Sequence, residues 1–239
     1  MTVWAHTVIV PSPSFSDITR MLDEVTVRGD PADPAVKKRL RIVKAATDVF
    51  LQHGYRRASV DAIAQRAGVA KGTVYLYFKS KADLLLFAIG SEKRQYVEAL
   101  KPIFGVEVDP EQRVAAYLRQ ALPLMLQMPL TRKLLHGDRE VNAVFEELDQ
   151  EAAAHYHAMH TQFMVQLIEP FAALHGWSAA DVEDRARVLM ALLLSSGALI
   201  DEHVRAGLSP ERFGELFSSL IMDGLRAPSG ALSPLRGAR

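Results

Sequence analysis

Six side chains within eleven positions, Lys71, Thr73, Tyr75, Tyr77, Lys79 and Lys81, combine positive charge with hydroxyl groups. They contain no nucleophile–base pair and no metal-ligand set; their chemistry is hydrogen bonding and ion pairing to phosphates and base edges. The local sequence says what positions them. Ser59 is a helix N-cap, and Val60, Ile63 and Ala64 make one buried face of a short helix. Gly68 supplies the left-handed backbone of a tight turn, with Val69 as the apolar residue inside it. A second short helix runs from about Lys71 to Phe78, with Val74 and Phe78 four apart on its inner side. Two short helices joined by a glycine-containing turn, the second presenting a small, basic, hydroxyl-rich face, predict a helix-turn-helix that meets DNA.

The charge distribution points the same way although the net charge is zero. Between Val36 and Lys81 stand eleven Lys or Arg against two acids, a local charge of +9, and the remainder holds 17 basic against 26 acidic residues, −9. One basic module therefore faces an acidic remainder, as phosphate recognition requires. The 49% hydrophobic content over 239 residues is enough for a substantial core. Without cysteine there are no disulfides, thiolate chemistry or Cys-based zinc sites. No apolar run approaches the ~18 residues of a membrane span. Val188 to Ile200 is interrupted by Ser195, Ser196 and Gly197. Val3 to Val10 lacks a preceding basic region, so a signal peptide is not expected and a cytoplasmic location is.

Residues 1–34 hold Pro11, Pro13, Pro31 and Pro34 with little periodicity. They read as a poorly ordered extension with a short helix around Phe15 to Val25, and Met21 is an alternative start. A helix is predicted from Ala35 to Gly54. Leu40, Val43, Ala46 and Phe50 recur at helical spacing, and Val36, Ile42 and Val49 widen the stripe. Lys37, Lys38, Arg39, Arg41 and Lys44 crowd its first half, against the helix dipole. They make either phosphate contacts or a solvated face. Ser80 to Asp83 forms a capping box that starts a further helix, reaching Leu100 or Phe104. Its free N–H groups, with Lys79 and Lys81 beside them, offer a phosphate corner.

Residues 42–85, IVKAATDVFLQHGYRRASVDAIAQRAGVAKGTVYLYFKSKADLL, resemble the DNA-binding domain of the TetR family of transcriptional repressors. The resemblance rests on Phe50, Gly54 and Tyr55; on Val60, Ile63, Ala64, Ala67 and Gly68; on Lys71-Gly72-Thr73-Val74-Tyr75-x-Tyr77-Phe78; and on Lys79-Ser80-Lys81 with Leu84. Two positions depart from it. Ala70 stands where a capping Ser is usual, and Leu76 where a polar residue is commoner, either touching a thymine methyl or packing. The resemblance implies that Lys71, Gly72 and Thr73 enter the major groove and that Tyr75 and Tyr77 reach phosphates or base edges. Packing is the alternative for both tyrosines. It further implies that Lys79 and Lys81 hold the DNA backbone and that Ser59 offers its hydroxyl to a phosphate.

From Asp109 onward the pattern is helical. Helices are predicted over Glu111–Met128, kinked at Pro123; over Pro129–Leu135, ended by Gly137; and over a long region, Arg139–His175. A capping box at Ser178 and Asp181 starts another, to about Ala206, and Ser209-Pro210 starts the last, to Leu225. The final two are apolar round most of their circumference and so need cover on two sides. A second copy is the economical cover, which also suits two DNA half-sites ~34–36 Å apart. The resemblance implies a homodimer through these helices, with Leu192, Ser196, Leu199, Phe213, Phe217 and Leu220 as interface candidates. It also implies an effector cavity, for which Phe104, Tyr117, Leu122, Met125, Phe145, Met159, Phe163 and Leu193 are candidates; ordinary core is the other reading of each. Such a lining suits an apolar or aromatic effector, fatty-acyl compounds included.

His157 and His160 share a helix face, but His155 is turned about 200° from His157. The three cannot converge on one metal ion, and neither a metal nor another cofactor is expected. No catalytic constellation stands out, so the chain does not read as an enzyme. The expected fold is all-α: a poorly ordered extension (1–34), a three-helix helix-turn-helix domain (35–83), a connecting helix (84–104), a helical effector-binding and dimerisation domain (105–227) and a flexible tail (228–239). The expected function is a homodimeric transcriptional regulator, a repressor released from palindromic double-stranded operator DNA by a small apolar effector. The alternative is a helical small-molecule-binding or scaffold protein whose helix-turn-helix serves only packing.

Overall fold

Helix α1 (Pro34–Arg57) starts where Asp33 accepts a hydrogen bond from Ala35 N–H and Pro34 supplies a preset φ. The computed structural model describes residues 26–27, 29–104, 108–146, 150–199 and 201–227, without the side chains of 145, 146, 150–160 and 196–199. All regular structure among the described residues is helical. After α1 come α2 (Val60–Ala67), α3 (Lys71–Tyr77) and α4 (Lys81–Leu100), which tightens into a 3-10 turn at Lys101–Phe104. Then follow α5 (Pro110–Met125), α6 (Pro129–Leu135), α7 (Arg139–Glu146), α8 (Gln150–Leu174), α9 (Ala179–Leu199), α10 (Glu202–Arg205) and α11 (Pro210–Arg226).

Several boundaries differ from those expected. Gly54 breaks α1 with a φ of 75° as predicted, but a final turn, Tyr55–Arg57, continues beyond it. Leu40 is 40% exposed, at the edge of the stripe; α1 instead buries Val36, Ile42, Val43, Ala45, Ala46, Val49 and Phe50. Pro123 lies inside the last turn of α5, which stops at Met125 rather than Met128. The chain passes into tighter i→i+3 bonds, Leu126 N–H to Pro123 O and Gln127 N–H to Leu124 O, because the ring cannot donate to Arg119. Within the region from Arg139 to His175, helix is described over Arg139–Glu146 (α7) and Gln150–Leu174 (α8). The helix capped at Ser178 stops at Leu199 rather than about Ala206, and the four-residue α10 stands apart.

Two apolar cores organise these helices. In the first, Phe50, Ile63, Val74, Phe78, Leu84 and Leu85 pack α1 to α4 together, and Phe78 meets Phe87 edge to face at 5.2 Å. This core also takes Leu130 from α6 and Val141 and Val144 from α7. In the second, α5, α8 and α9 meet around Leu118, Leu122, Met164, Phe171, Ala186 and Leu193. Helix α11 lies along α5 with Gly214, Ser218, Met222 and Leu225 inward. Gly214 sits so close to the Arg119 carbonyl and the Pro123 ring that a Cβ there would displace backbone.

Two carboxylates tie α6 and α7 to the first core. Met128 gives α6 no side-chain cap. Glu92, buried in α4, supplies one from a distance, accepting from Leu130 N–H at 3.0 Å and from Thr131 N–H and Oγ–H at 2.8 Å. Burial pushes the Glu92 carboxyl above its ordinary range, and the Leu130 and Thr131 hydrogen bonds partly offset that rise. Glu140 of α7 accepts from Arg56 N–H at 3.0 Å, at the last turn of α1.

Candidate nucleic-acid interface

Helix α2 begins with Ser59, whose Oγ accepts from Ala62 N–H at 3.1 Å, so the hydroxyl caps the helix while staying exposed. It ends at Gly68 in the left-handed region (φ 62°, ψ 40°), with Val69 N–H bonded to Ala64 O at 3.0 Å. That pair of features is a Schellman turn, and it sets the direction of α3. Ala70 occupies the N-cap of α3 without a side-chain bond, the weaker start expected from its methyl group. Val74 is the side chain that α3 buries, and Phe78 just beyond it is 1% exposed.

The outer side of α3 is open. Lys71 and Gly72 are exposed, Thr73 is half-buried, and Tyr75 is 50% and Leu76 77% exposed. Tyr77 is half-buried against the first core, so packing claims most of its ring while Tyr75 projects outward. Lys71 Nζ lies 2.6 Å from Asp61 Oδ2, and the hydrogen bond followed by the charge of Asp61 raises its pKa. This exposed pair holds the ammonium beside the start of α3. A Cβ on Gly72 would meet nothing within 4 Å. Its own fold therefore gives no reason for a glycine that costs about 0.5–1 kcal/mol in a helix.

The flanking cations divide between the surface and the fold. Lys37, Arg41 and Lys44 are exposed on one face of α1, and Lys79 is exposed between α3 and α4. Arg39 instead lies over Phe78 and Phe87, 6.0 and 5.9 Å from the ring centres. Lys81, expected on the DNA backbone, is also taken by the fold. Its Nζ donates to the carbonyls of Tyr55 (2.8 Å), Arg56 (3.2 Å) and Ala58 (3.1 Å) and lies 4.4 Å from the Tyr55 ring centre. An ammonium has three N–H bonds, and the last turn of α1 occupies all three. At the start of α4, Ser80 Oγ accepts from Asp83 N–H at 3.0 Å, and Asp83 reaches back to Lys79 N–H at 2.8 Å.

This arrangement coincides with a family profile, "Bacterial regulatory proteins, tetR family", which matches residues 42–87. Residues 42–87 are thus similar to the TetR-family DNA-binding domain. The Fatty acid metabolism regulator protein of Bacillus subtilis is 32% identical over 88 residues, 37% of this chain and 45% of that protein, so the match spans less than half of that relative. The HTH-type transcriptional repressor KstR of Rhodococcus jostii is 28% identical over 182 residues, 68% of this chain and 85% of that repressor. Among solved structures, a TetR/AcrR-family regulator from Thermobifida fusca superposes with a TM-score of 0.59 at 25% identity, covering 80% of this chain and all of that one.

The TetR-type fold places the remaining candidates in the second half of the chain. Tyr117, Leu122, Met125 and Leu193 are buried in the second core, and Phe104 and Phe163 are packed against it. The Phe163 ring centre lies 5.3 Å from that of Phe104 and 5.6 Å from that of Tyr117. Within this apolar cluster the Tyr96 hydroxyl donates to the Tyr117 hydroxyl at 3.4 Å. Burial pushes Tyr96 up to about 12 and Tyr117 well above the ordinary phenol value, so both stay neutral hydroxyls near pH 7. An open groove of about 400 Å³ lies elsewhere, along Pro102, Ile103, Val108, Gln112, Ala115, Ala116 and Arg119. Of the interface candidates, Leu192, Phe213 and Phe217 are half-buried and Leu220 is 73% exposed, with Val188 and Leu216 exposed beside them in sequence. Phe145, Met159, Ser196, Leu199 and the three histidines 155, 157 and 160 lie outside the described side chains.

Sequence reasoning singled out neither Glu92 nor Glu140. Each is a lone acid in a helical pattern, and its importance comes from a partner 38 or more residues away in the chain. Among the described residues no helix is long and apolar enough to cross a membrane.

Proposed function

We propose that the protein is a homodimeric, cytoplasmic transcriptional repressor that binds a near-palindromic double-stranded operator and is released from it by a small apolar effector. The observation that carries this reading is the open face of α3, where Lys71, Gly72, Thr73 and Tyr75 are exposed or half-buried within a segment of charge +9. Such a face suits base edges, while Lys37, Arg41, Lys44 and Lys79 suit the flanking phosphates. Lys81 acts indirectly, fixing the end of α1 against the start of α4.

Dimerisation is supported by the exposed Leu216 and Leu220 on α11 and Val188 on α9, apolar side chains left uncovered by their own chain. Two copies would present two α3 helices to successive major grooves. For the effector, the second core offers an almost wholly apolar setting with the Tyr96–Tyr117 hydroxyl pair as its polar handle. The relative named as a fatty acid metabolism regulator agrees with an apolar, acyl-type effector. Release follows if the effector favours a state in which α4 shifts, because α4 carries the helix-turn-helix at one end and lines the second core at the other.

The test is a gel shift with the full-length protein on the intergenic DNA upstream of its gene and on operators selected from random duplexes. Sequence-selective, salt-sensitive binding is expected, with K71A and K79A weakening it and flattening its salt dependence. Failure to bind any selected duplex selectively would remove the reading.

A further inference from the structure

The most exposed large apolar side chain among the described residues is Leu76, at 77%. It lies on α3 about 160° round the helix from the buried Val74, in the middle of the outward face. One turn earlier on that face is Gly72, whose missing side chain leaves open space rather than relieving any contact. Lys71, Tyr75 and Lys79 are exposed close to it in sequence. An apolar side chain at the centre of a basic face, next to a glycine its own fold does not require, has no role within the chain. The sequence left two readings of Leu76, packing or contact with a base, and its exposure removes the first.

We infer that Leu76 is a sequence-reading residue whose side chain packs against the C5-methyl group of a thymine in the major groove of each half-site. This deepens the proposed function and rests on it. The thymine methyl is the apolar feature of base-pair edges in the major groove, and a leucine can recognise it without a hydrogen bond. Charge complementarity selects DNA as the occupant of this face, since Val36 to Lys81 carries +9 while the rest of the chain carries −9. Gly72 allows the backbone of α3 to approach the groove closely enough for Leu76 to reach the base edge.

The experiment uses the full-length protein and an operator selected by that protein from random duplexes. Each thymine of a half-site is replaced in turn by deoxyuridine, which removes only the C5-methyl, and affinity is read by fluorescence anisotropy at fixed salt. At one thymine per half-site the wild type is expected to lose about fourfold in affinity, the value of one buried methyl-sized group. L76A should lose a similar factor on the thymine operator and show no further loss on the deoxyuridine operator. Its thermal midpoint should match the wild type, because Leu76 is 77% exposed and outside both cores. Equal wild-type affinity for every deoxyuridine operator overturns the inference and leaves operator binding standing. So does a deoxyuridine penalty that persists undiminished in L76A. A protein that selects no operator overturns the DNA-binding reading and this inference with it.

Discussion

The two cores differ in how they are held. The first centres on the short α2 and α3, and their surroundings are fixed by neighbours in sequence: Ser59 on Ala62 N–H, Gly68 in the left-handed region, Ser80 on Asp83 N–H. The second is built from longer helices meeting through apolar and aromatic side chains far apart in the chain, such as Phe163 with Phe104 and with Tyr117. Local caps fix the direction of a surface, which a DNA-reading helix needs. A large apolar core specifies volume more than direction, and the proposed effector site would need that. Glu92 and Glu140 add long-range ties to the first, holding α6 and α7 against α4 and α1.

The largest effects should separate the cores. F78A and F171A each remove a fully buried ring and should cost about 3–5 kcal/mol. F78A should abolish operator binding while Trp177, edge to face with Phe171 and under Arg185 at 4.0 Å, keeps its native fluorescence in a W4F background. F171A should disturb that fluorescence first. If both variants lose both signals together under native conditions, the cores are a single unit and the comparison fails.

The tie between α4 and α6 comes next. E92A leaves the Leu130 and Thr131 N–H groups buried without acceptors and should destabilise the protein by about 3 kcal/mol in urea unfolding. The Glu92 carboxyl also has a pH signature. Its folded pKa is raised above the model-peptide value of 4.5, so its contribution to stability is fully present below 4.5 and is lost as pH rises through the folded value. E92Q, which cannot ionise, should lack that loss, and the difference between the two stability–pH curves above pH 4.5 measures it. Parallel curves would show that Glu92 does not titrate in the buried cap.

The smallest effect tests local capping. Ala70 leaves the first N–H groups of α3 without a side-chain acceptor, so A70S should stabilise the protein by about 1 kcal/mol. No gain in the urea midpoint would mean that tertiary packing alone fixes α3.

Much of the first region was legible in the sequence because its signals act within a few residues. Ser59, Gly68, Ser80 and Ser209 mark helix ends where the structure has them, and the periodicity of Val60, Ile63 and Ala64 marks the buried face. The same reasoning misplaced Lys81 because composition counts charges without seeing carbonyls. The orphan carbonyls that take its ammonium exist only once Gly54 has broken α1 and the chain has turned back to α4. Pro123 was legible as a disruption, but how soon the helix stops after it depended on the tight turns that follow.

The sequence by itself determined the helical class, the helix-turn-helix and the basic module that contains it, because helical period, caps and charge are local properties of a chain. Only the tertiary structure decided which cations face outward, that Leu76 stands uncovered in the middle of α3, and that Glu92 caps a helix 38 positions away. Those outcomes turn on burial and on hydrogen bonds between distant segments, and neither exists until the helices pack.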